Sequence, residues 1–171
     1  DWERLQKSSH SLILILDHLE DPQNLGAILR TAWLLRVDAV FLPKTRSVHL
    51  TPTVAKVACG GCEHVPVVFE NSLENLAKQL KDRGYWLYTL SHKASRELWR
   101  VEFPQRVALI LGSEGKGVRR SLVKVCDEIV AIAQSEAGPS YNVSVATGLS
   151  LAEVRRQWSL SAQVVEGTSK L

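Results

Sequence analysis

The stretch Leu12-Ile13-Leu14-Ile15-Leu16-Asp17-His18-Leu19-Glu20-Asp21-Pro22-Gln23-Asn24-Leu25-Gly26-Ala27-Ile28-Leu29-Arg30 passes from an aliphatic run through an acidic turn into an amphipathic repeat. The run has no polar alternation, as in a strand covered on both faces. Asp21-Pro22 makes the turn and Asn24 is expected to cap the helix that follows. Leu25, Ile28, Leu29, Ala32 and Leu35 then recur at helical spacing and form its buried stripe. Strand, turn and helix in that order are the unit of an α/β domain with a mostly parallel sheet flanked by helices.

Outward from this unit the pattern repeats. Further strands are predicted over Ala39 to Leu42, Val65 to Phe69, Trp86 to Leu90, Val107 to Leu111 and Glu128 to Ile132. Helices are predicted over Leu25 to Arg36, Thr51 to Ala58, Leu73 to Arg83, Gly117 to Val125 and Asn142 to Trp158. No internal repeat, low-complexity tract or linker divides the chain, so residues 1–171 read as one domain with its core over 12–158. After Trp158 the periodicity is lost, and that tail is expected to be loosely held.

At 171 residues and 45% hydrophobic, the chain has enough core to fold without disulfide or metal staples. Three cysteines make no disulfide framework and point to a reducing compartment, the cytoplasm or an organelle matrix. Cys59 and Cys62 form a CxxC pair, but Cys126 and the scattered histidines supply no second pair at zinc-site spacing, and no metal is expected. No apolar run is long enough to span a bilayer, so no membrane partner is expected. A net charge of +3 permits an acidic partner without demanding one. The chain begins at Asp1 and contains no methionine, so a preceding segment is expected to be missing.

Three constellations carry candidate chemistry. In the first, Gly26 and Arg30 are left unexplained by the buried stripe: glycine weakens a helix unless something approaches its backbone, and Arg30 sits near the carboxyl edge of the sheet, where α/β proteins bind ligands. The second, Leu111-Gly112-Ser113-Glu114-Gly115-Lys116-Gly117, ends a strand and opens a helix with three glycines in six positions; taken alone it reads equally as a tight turn or as a loop that wraps a ligand with its backbone amides. It lacks the Gly-Lys-Ser/Thr of a phosphate-binding loop and reverses the dinucleotide fingerprint, which argues against a nucleotide-binding α/β protein of those kinds. The third, Ser140-Tyr141-Asn142-Val143-Ser144-Val145-Ala146-Thr147-Gly148, opens the last helix; in isolation the structural reading, ordinary capping of a buried helix, is the favoured one.

Together, their order, spacing and strand-to-helix contexts resemble the SpoU RNA 2′-O-methyltransferases. That family carries Asn-x-Gly-x-x-x-Arg, then Gly-x-Glu-x-x-Gly, then Ser-x-Asn-Val-Ser-Val-Ala, and the resemblance runs from about Leu12 to Arg156. Pro43-Lys44-x-Arg46-Ser47 and Lys56-Val57-Ala58-Cys59-Gly60 look most like the bacterial 23S rRNA guanosine-2′-O-methyltransferases of the family. Its transfer-RNA members are the nearest alternative, and a non-catalytic RNA-binding module on the same fold is the rival of another class.

The resemblance implies a C-terminal trefoil knot, S-adenosylmethionine as cofactor, RNA as substrate and an RNA-binding domain N-terminal to this one. It assigns Asn24, Arg30, Glu114, Ser140 and Asn142 to catalysis, and the adenosyl moiety to backbone groups around Leu111, Gly112, Ile132 and Tyr141. Lys44, Arg46, Lys116, Arg119 and Arg120 are candidates to grip RNA phosphates. The chain departs from the pattern in two places: Ala133-Gln134 stands where the family has Pro-Met, and Tyr141 where it has Leu, so the pocket is expected to differ in shape. A homodimer is also expected. Val143, Val145, Ala146, Leu149, Leu151, Ala152 and Val154 surround the final helix too widely for one stripe, and Trp33, Leu34 and Leu35 pose the same problem on the first; Val154 is expected on the dimer surface.

Overall fold

The computed structural model describes residues 2–113 and 115–168. Its elements are α1 (Trp2–Lys7), β1 (Ser11–Asp17), α2 (Pro22–Leu34), β2 (Ala39–Pro43), α3 (Pro52–Ala58), α4 (Gly61–His64), β3 (Val67–Glu70), α5 (Leu73–Asp82), β4 (Trp86–Leu90), β5 (Arg106–Gly112), α6 (Arg120–Val123), β6 (Glu128–Val130) and α7 (Val143–Thr168). The six strands form one sheet in the order β3-β2-β1-β5-β4-β6, every ladder parallel.

Alternate residues of the central strands enter two separate cores, as the unbroken aliphatic runs require. Leu12, Leu14 and Leu16 of β1 and Leu109 and Leu111 of β5 pack with α2, α3 and α7 on one face. Ile13, Ile15, Ala108 and Ile110 pack with α1, α5 and α6 on the other. β1 and β5 are paired along their whole length, Ser11 with Arg106 through Asp17 with Gly112, so the first and second motifs leave the sheet side by side at its carboxyl edge.

Several boundaries differ from expectation for local reasons. Asp21, not Asn24, caps α2, its carboxylate accepting from Gln23 N at 2.8 Å, and Asn24 lies inside the first turn. β3 begins at Val67 because Pro66 has no N–H for the ladder; its carbonyl instead accepts from Val40 N. The helix expected over Gly117 to Val125 shrinks to Arg120–Val123, since Gly117 has φ +63 and the Arg119 N–H is bonded to the Asp17 carboxylate. α1 and α4 were not anticipated, and α7 continues through the expected loose tail to Thr168.

Gly26 is explained by packing rather than by a ligand: a Cβ there would lie 2.5 Å from Val57 Cβ and 3.0 Å from Val54 O, so α3 presses directly on α2. No helix among the described residues is long and apolar enough to cross a membrane.

The breadth of apolar residues on α7 is largely accounted for within the chain. Val143, Ala146, Leu151 and Val154 are buried against the sheet, while Val145 is 49% exposed and Leu34 of α2 66% exposed. Val154 is fully buried and so is a core residue, correcting its expected place on a dimer surface. Val154→Arg is accordingly expected to unfold the protein, lowering stability by about 3–5 kcal/mol, the scale of an uncompensated buried charge. Urea denaturation monitored by circular dichroism checks this; an undiminished midpoint would contradict the burial.

Candidate active site

The first and third motifs meet directly. Asn142 Nδ2 donates to Asn24 Oδ1 at 3.1 Å, joining the first turn of α2 to the start of α7. The other half of the Asn142 amide is committed to its own helix: Oδ1 accepts from Ser144 N at 2.9 Å, from Ser144 Oγ at 2.5 Å and from Val145 N at 3.4 Å. The residue is therefore a cap and a bridge at once, with its orientation fixed from both ends.

Arg30 lies two turns further along α2 with an exposed side chain, its Nη1 3.9 Å from Cys59 Sγ. No carboxylate pairs with it among the described residues. Its backbone is braced by the α3–α4 turn: a Cβ on Gly61 would come within 2.7 Å of the Leu29 carbonyl and 2.9 Å of Arg30 N. Cys59 and Gly60, both at positive φ, turn the chain to permit that approach.

Beside this junction is a cavity of about 770 Å³, within the roughly 300–1,000 Å³ range of small-molecule sites. It is walled by 89–95 from the end of β4 into the loop beyond, by 111–113 and 115–118 from the end of β5 onward, by Val123 of α6, and by residues of 129–146 from β6 into α7. Leu111, Gly112, Ile132 and Tyr141 all line it, as do Ser140 and Lys116; Asn24, Arg30 and Asn142 stand outside the lining. The turn 140–143 links the two groups, since Ser140, Tyr141 and Val143 face the cavity while Asn142 reaches Asn24. Glu114 lies outside the described residues.

Where the chain departs from the family pattern, its own side chains close the loop. Tyr141 Oη donates to Ala133 O at 3.2 Å and Gln134 Nε2 to Pro139 O at 2.7 Å, two bonds across the base of the 133–141 excursion. The glycine loop is closed differently. Gly117 N donates to Ser113 O at 2.8 Å, and a Cβ on Gly112 would fall 2.1 Å from the Gly117 carbonyl group. Gly112 thus admits the loop's own returning backbone, as the tight-turn reading of this segment has it, while still lining the cavity.

That loop is tied to β1 by Asp17. This carboxylate is fully buried and accepts from Arg119 N at 2.9 Å, from Arg119 Nε at 3.0 Å and from Arg119 Nη2 at 2.5 Å. Bonding to Asp17 pushes the Arg119 guanidinium above its ordinary pKa, despite the opposing effect of burial. Arg119, expected to grip RNA, is therefore engaged inside the protein, with Glu74 3.9 Å from its Nη1. Lys44 and Arg46 are exposed in the loop after β2, and neither lines the cavity. Lys116 reaches Glu20 at 3.5 Å with both side chains largely exposed, a pairing of little strength. Arg120 is exposed at the start of α6.

The wall from Thr89 to Ser95 was not anticipated. It contains no motif; the usable signal was positional, a loop leaving the carboxyl end of a strand beside the glycine loop. Thr89 is 1% exposed, and its Oγ1 has no hydrogen-bond partner among the described residues, an omission that ordinarily costs about 1–3 kcal/mol. Among the described residues no cluster of three or more His, Cys, Asp or Glu side chains is placed to hold a metal.

Asp17→Asn preserves shape but leaves the Arg119 guanidinium without its counter-ion. With Arg119 33% exposed, water offsets part of the loss, and a destabilisation of about 2 kcal/mol is expected. Faster amide hydrogen exchange across the 115–119 segment should accompany it; unchanged exchange and stability would show that the tether does not hold the loop.

Residues 11–152 match the model of the SpoU rRNA Methylase family. The chain is 42% identical over 149 residues to the 23S rRNA (guanosine-2'-O-)-methyltransferase RlmB of Ralstonia nicotianae, covering 87% of this chain and 60% of that protein. It thus spans about three-fifths of the length of the curated relatives it matches. Among solved structures it superposes on a TrmH-family protein from Porphyromonas gingivalis with a TM-score of 0.80 at 26% identity, covering 88% of this chain and 61% of that one. The fold is also that of the SpoU methyltransferase AviRb from Streptomyces viridochromogenes in complex with AdoMet, with a TM-score of 0.83, 22% identity and coverage of 92% and 61%. Because the family match extends from β1 into α7 and takes in every wall of the cavity, membership rests on the whole architecture rather than on one motif, and the chain belongs to the SpoU rRNA methylase family.

Proposed function

We propose that this chain is the catalytic domain of an S-adenosylmethionine-dependent methyltransferase that modifies a ribose 2′-hydroxyl of RNA, with a guanosine of 23S rRNA the target. The observation that carries the reading is the junction of Asn24 with Asn142 beside a cavity lined by Leu111, Gly112, Ile132 and Tyr141. The residues present fit the cofactor: Leu90, Leu111, Ile132 and Val143 offer apolar surface to a purine, while Ser91, Ser113 and Ser140 offer polar contacts at the same walls. The AdoMet complex of AviRb, on the same fold, and the rRNA activity named for the relatives support the assignment.

S-adenosylmethionine supplies an electrophilic methyl group on a sulfonium. The chain's part is to place the ribose oxygen and to stabilise the charge it develops. Asn142, fixed by Asn24 and by the α7 backbone, orients the ribose or the arginine. Arg30, held on α2 with no carboxylate partner among the described residues, offers its charge to the developing alkoxide. A guanidinium keeps its proton, so Arg30 acts as an electrostatic stabiliser and not as the base that takes the 2′-hydroxyl proton. Ser140 sits at the turn between the cavity and Asn142, and Glu114 would order the glycine loop. The exposed Lys44, Arg46 and Lys116 are available to RNA phosphates.

The same reading takes residues 131–142 through the loop that follows β4, forming a trefoil knot. Supporting it, Ala131 pairs with Glu97 of that loop in a parallel bridge, donating to Arg96 O and accepting from Leu98 N at 2.8 Å each. Transfer of labelled methyl from S-adenosylmethionine to 23S rRNA, with transfer RNA as comparison, tests the function. Arg30→Ala should reduce turnover at least a hundredfold, of the order of one lost transition-state charge contact, with cofactor affinity within about twofold. Cofactor binding without transfer to any RNA would favour the non-catalytic module.

The active unit is a homodimer in this reading, closed over the apolar surface left on α2 and α7. Leu34 and Val145 support it, being large apolar side chains exposed on two helices packed together beside the candidate site. Sedimentation equilibrium should give a dimer that Leu34→Arg converts to folded monomer; a wild-type monomer of 19.0 kDa at micromolar concentration would refute it.

A further inference from the structure

We propose that Thr89 is a ligand-reading residue of the cavity, its hydroxyl hydrogen-bonding the polar edge of the adenosyl group that the cavity takes. The inference rests on the S-adenosylmethionine reading above, and adds a side-chain contact to a pocket otherwise expected to hold its ligand by backbone groups.

Thr89 belongs to an interior strand, paired with Ile110 of β5 on one side and Ile129 of β6 on the other. Its side chain alternates with that of Tyr88, which enters the α7-side core, and so shares the face of Leu87 and Ile110. On that face the cavity is lined by Val118, Val123 and Ile129, none of which offers a side-chain partner to a hydroxyl. Thr89 lines the cavity with them, 1% exposed and with its Oγ1 unpartnered.

A valine would fill the same space and suit the same strand without this unmet bond. A threonine there is accounted for by a partner that arrives with the ligand. A hydroxyl both donates and accepts. Adenine and ribose present both kinds of group, so an adenosyl ligand satisfies Thr89, whereas a purely apolar ligand of the same size does not.

Threonine-to-valine exchange separates this role from a structural one. S-adenosylhomocysteine binding, measured by titration calorimetry, should weaken about five- to tenfold in Thr89→Val, the worth of one hydrogen bond. Thr89→Ser should stay within about twofold of wild type. Without ligand, the melting temperature of Thr89→Val should equal or exceed that of wild type, since the substitution removes a buried unmet group. Unchanged affinity in Thr89→Val overturns the proposal, as does a melting temperature lowered without ligand, which would reveal a structural bond. Absence of binding by the wild-type protein would instead overturn the adenosyl reading of the cavity, and the proposal with it.

Discussion

The carboxylate of Asp17 is the constraint on which the site depends. It closes a strand in which the run just before it, Leu12 to Leu16, is wholly apolar, and it is fully buried, so it requires a positive partner and several hydrogen bonds. Arg119 meets both needs, with its guanidinium and its backbone N–H on the same carboxylate. Because Arg119 is the last residue before α6, satisfying Asp17 draws the whole glycine loop back across the end of the sheet. The returning backbone then passes so close to Gly112 that no side chain fits there. One buried charge thereby sets the position of a cavity wall and the identity of a residue in it.

Most of the fold was legible because two-sided burial leaves an unmistakable mark. Six aliphatic runs alternating with helical periods specify a covered parallel sheet, and each of the six expected strands occurs, with shifts at the ends. The family resemblance pointed to Leu111, Gly112, Ile132 and Tyr141, all four of which line the cavity, and the contact of Asn24 with Asn142 gives physical form to the co-occurrence of the first and third motifs. Less legible was anything decided by a partner distant in sequence. Gly26 answers to Val57 and Val54, and Arg119 to a carboxylate at the far end of the motif series. Val154 was misplaced because periodicity counts apolar residues without knowing how much of the sheet there is to cover them. The wall from Thr89 to Ser95 has no composition of its own, and only the order of the strands brings it beside the glycine loop.

The site divides its labour across a single turn. Before Asn142 the chain faces the cavity; at Asn142 it bonds the turn that follows β1; after Asn142 it is helix. Binding of a ligand in the cavity and orientation of the groups around Arg30 are thus coupled through a few residues of backbone. The bonds from Tyr141 to Ala133 and from Gln134 to Pro139 close the base of the excursion that leads into that turn.

The pairing of β1 with β5 also governs how the protein is made. β1 leaves the ribosome ahead of the other five strands of its sheet, and it is covered by apolar residues on both faces; β2 can cover one edge early, but the other edge awaits β5, much later in the chain. Parallel pairing over such a separation closes slowly. Until Arg106–Gly112 emerges, the nascent chain presents an open aliphatic edge, the kind of surface on which misassembly begins and to which chaperones bind. The strand that anchors the site is therefore also the segment that makes synthesis hazardous.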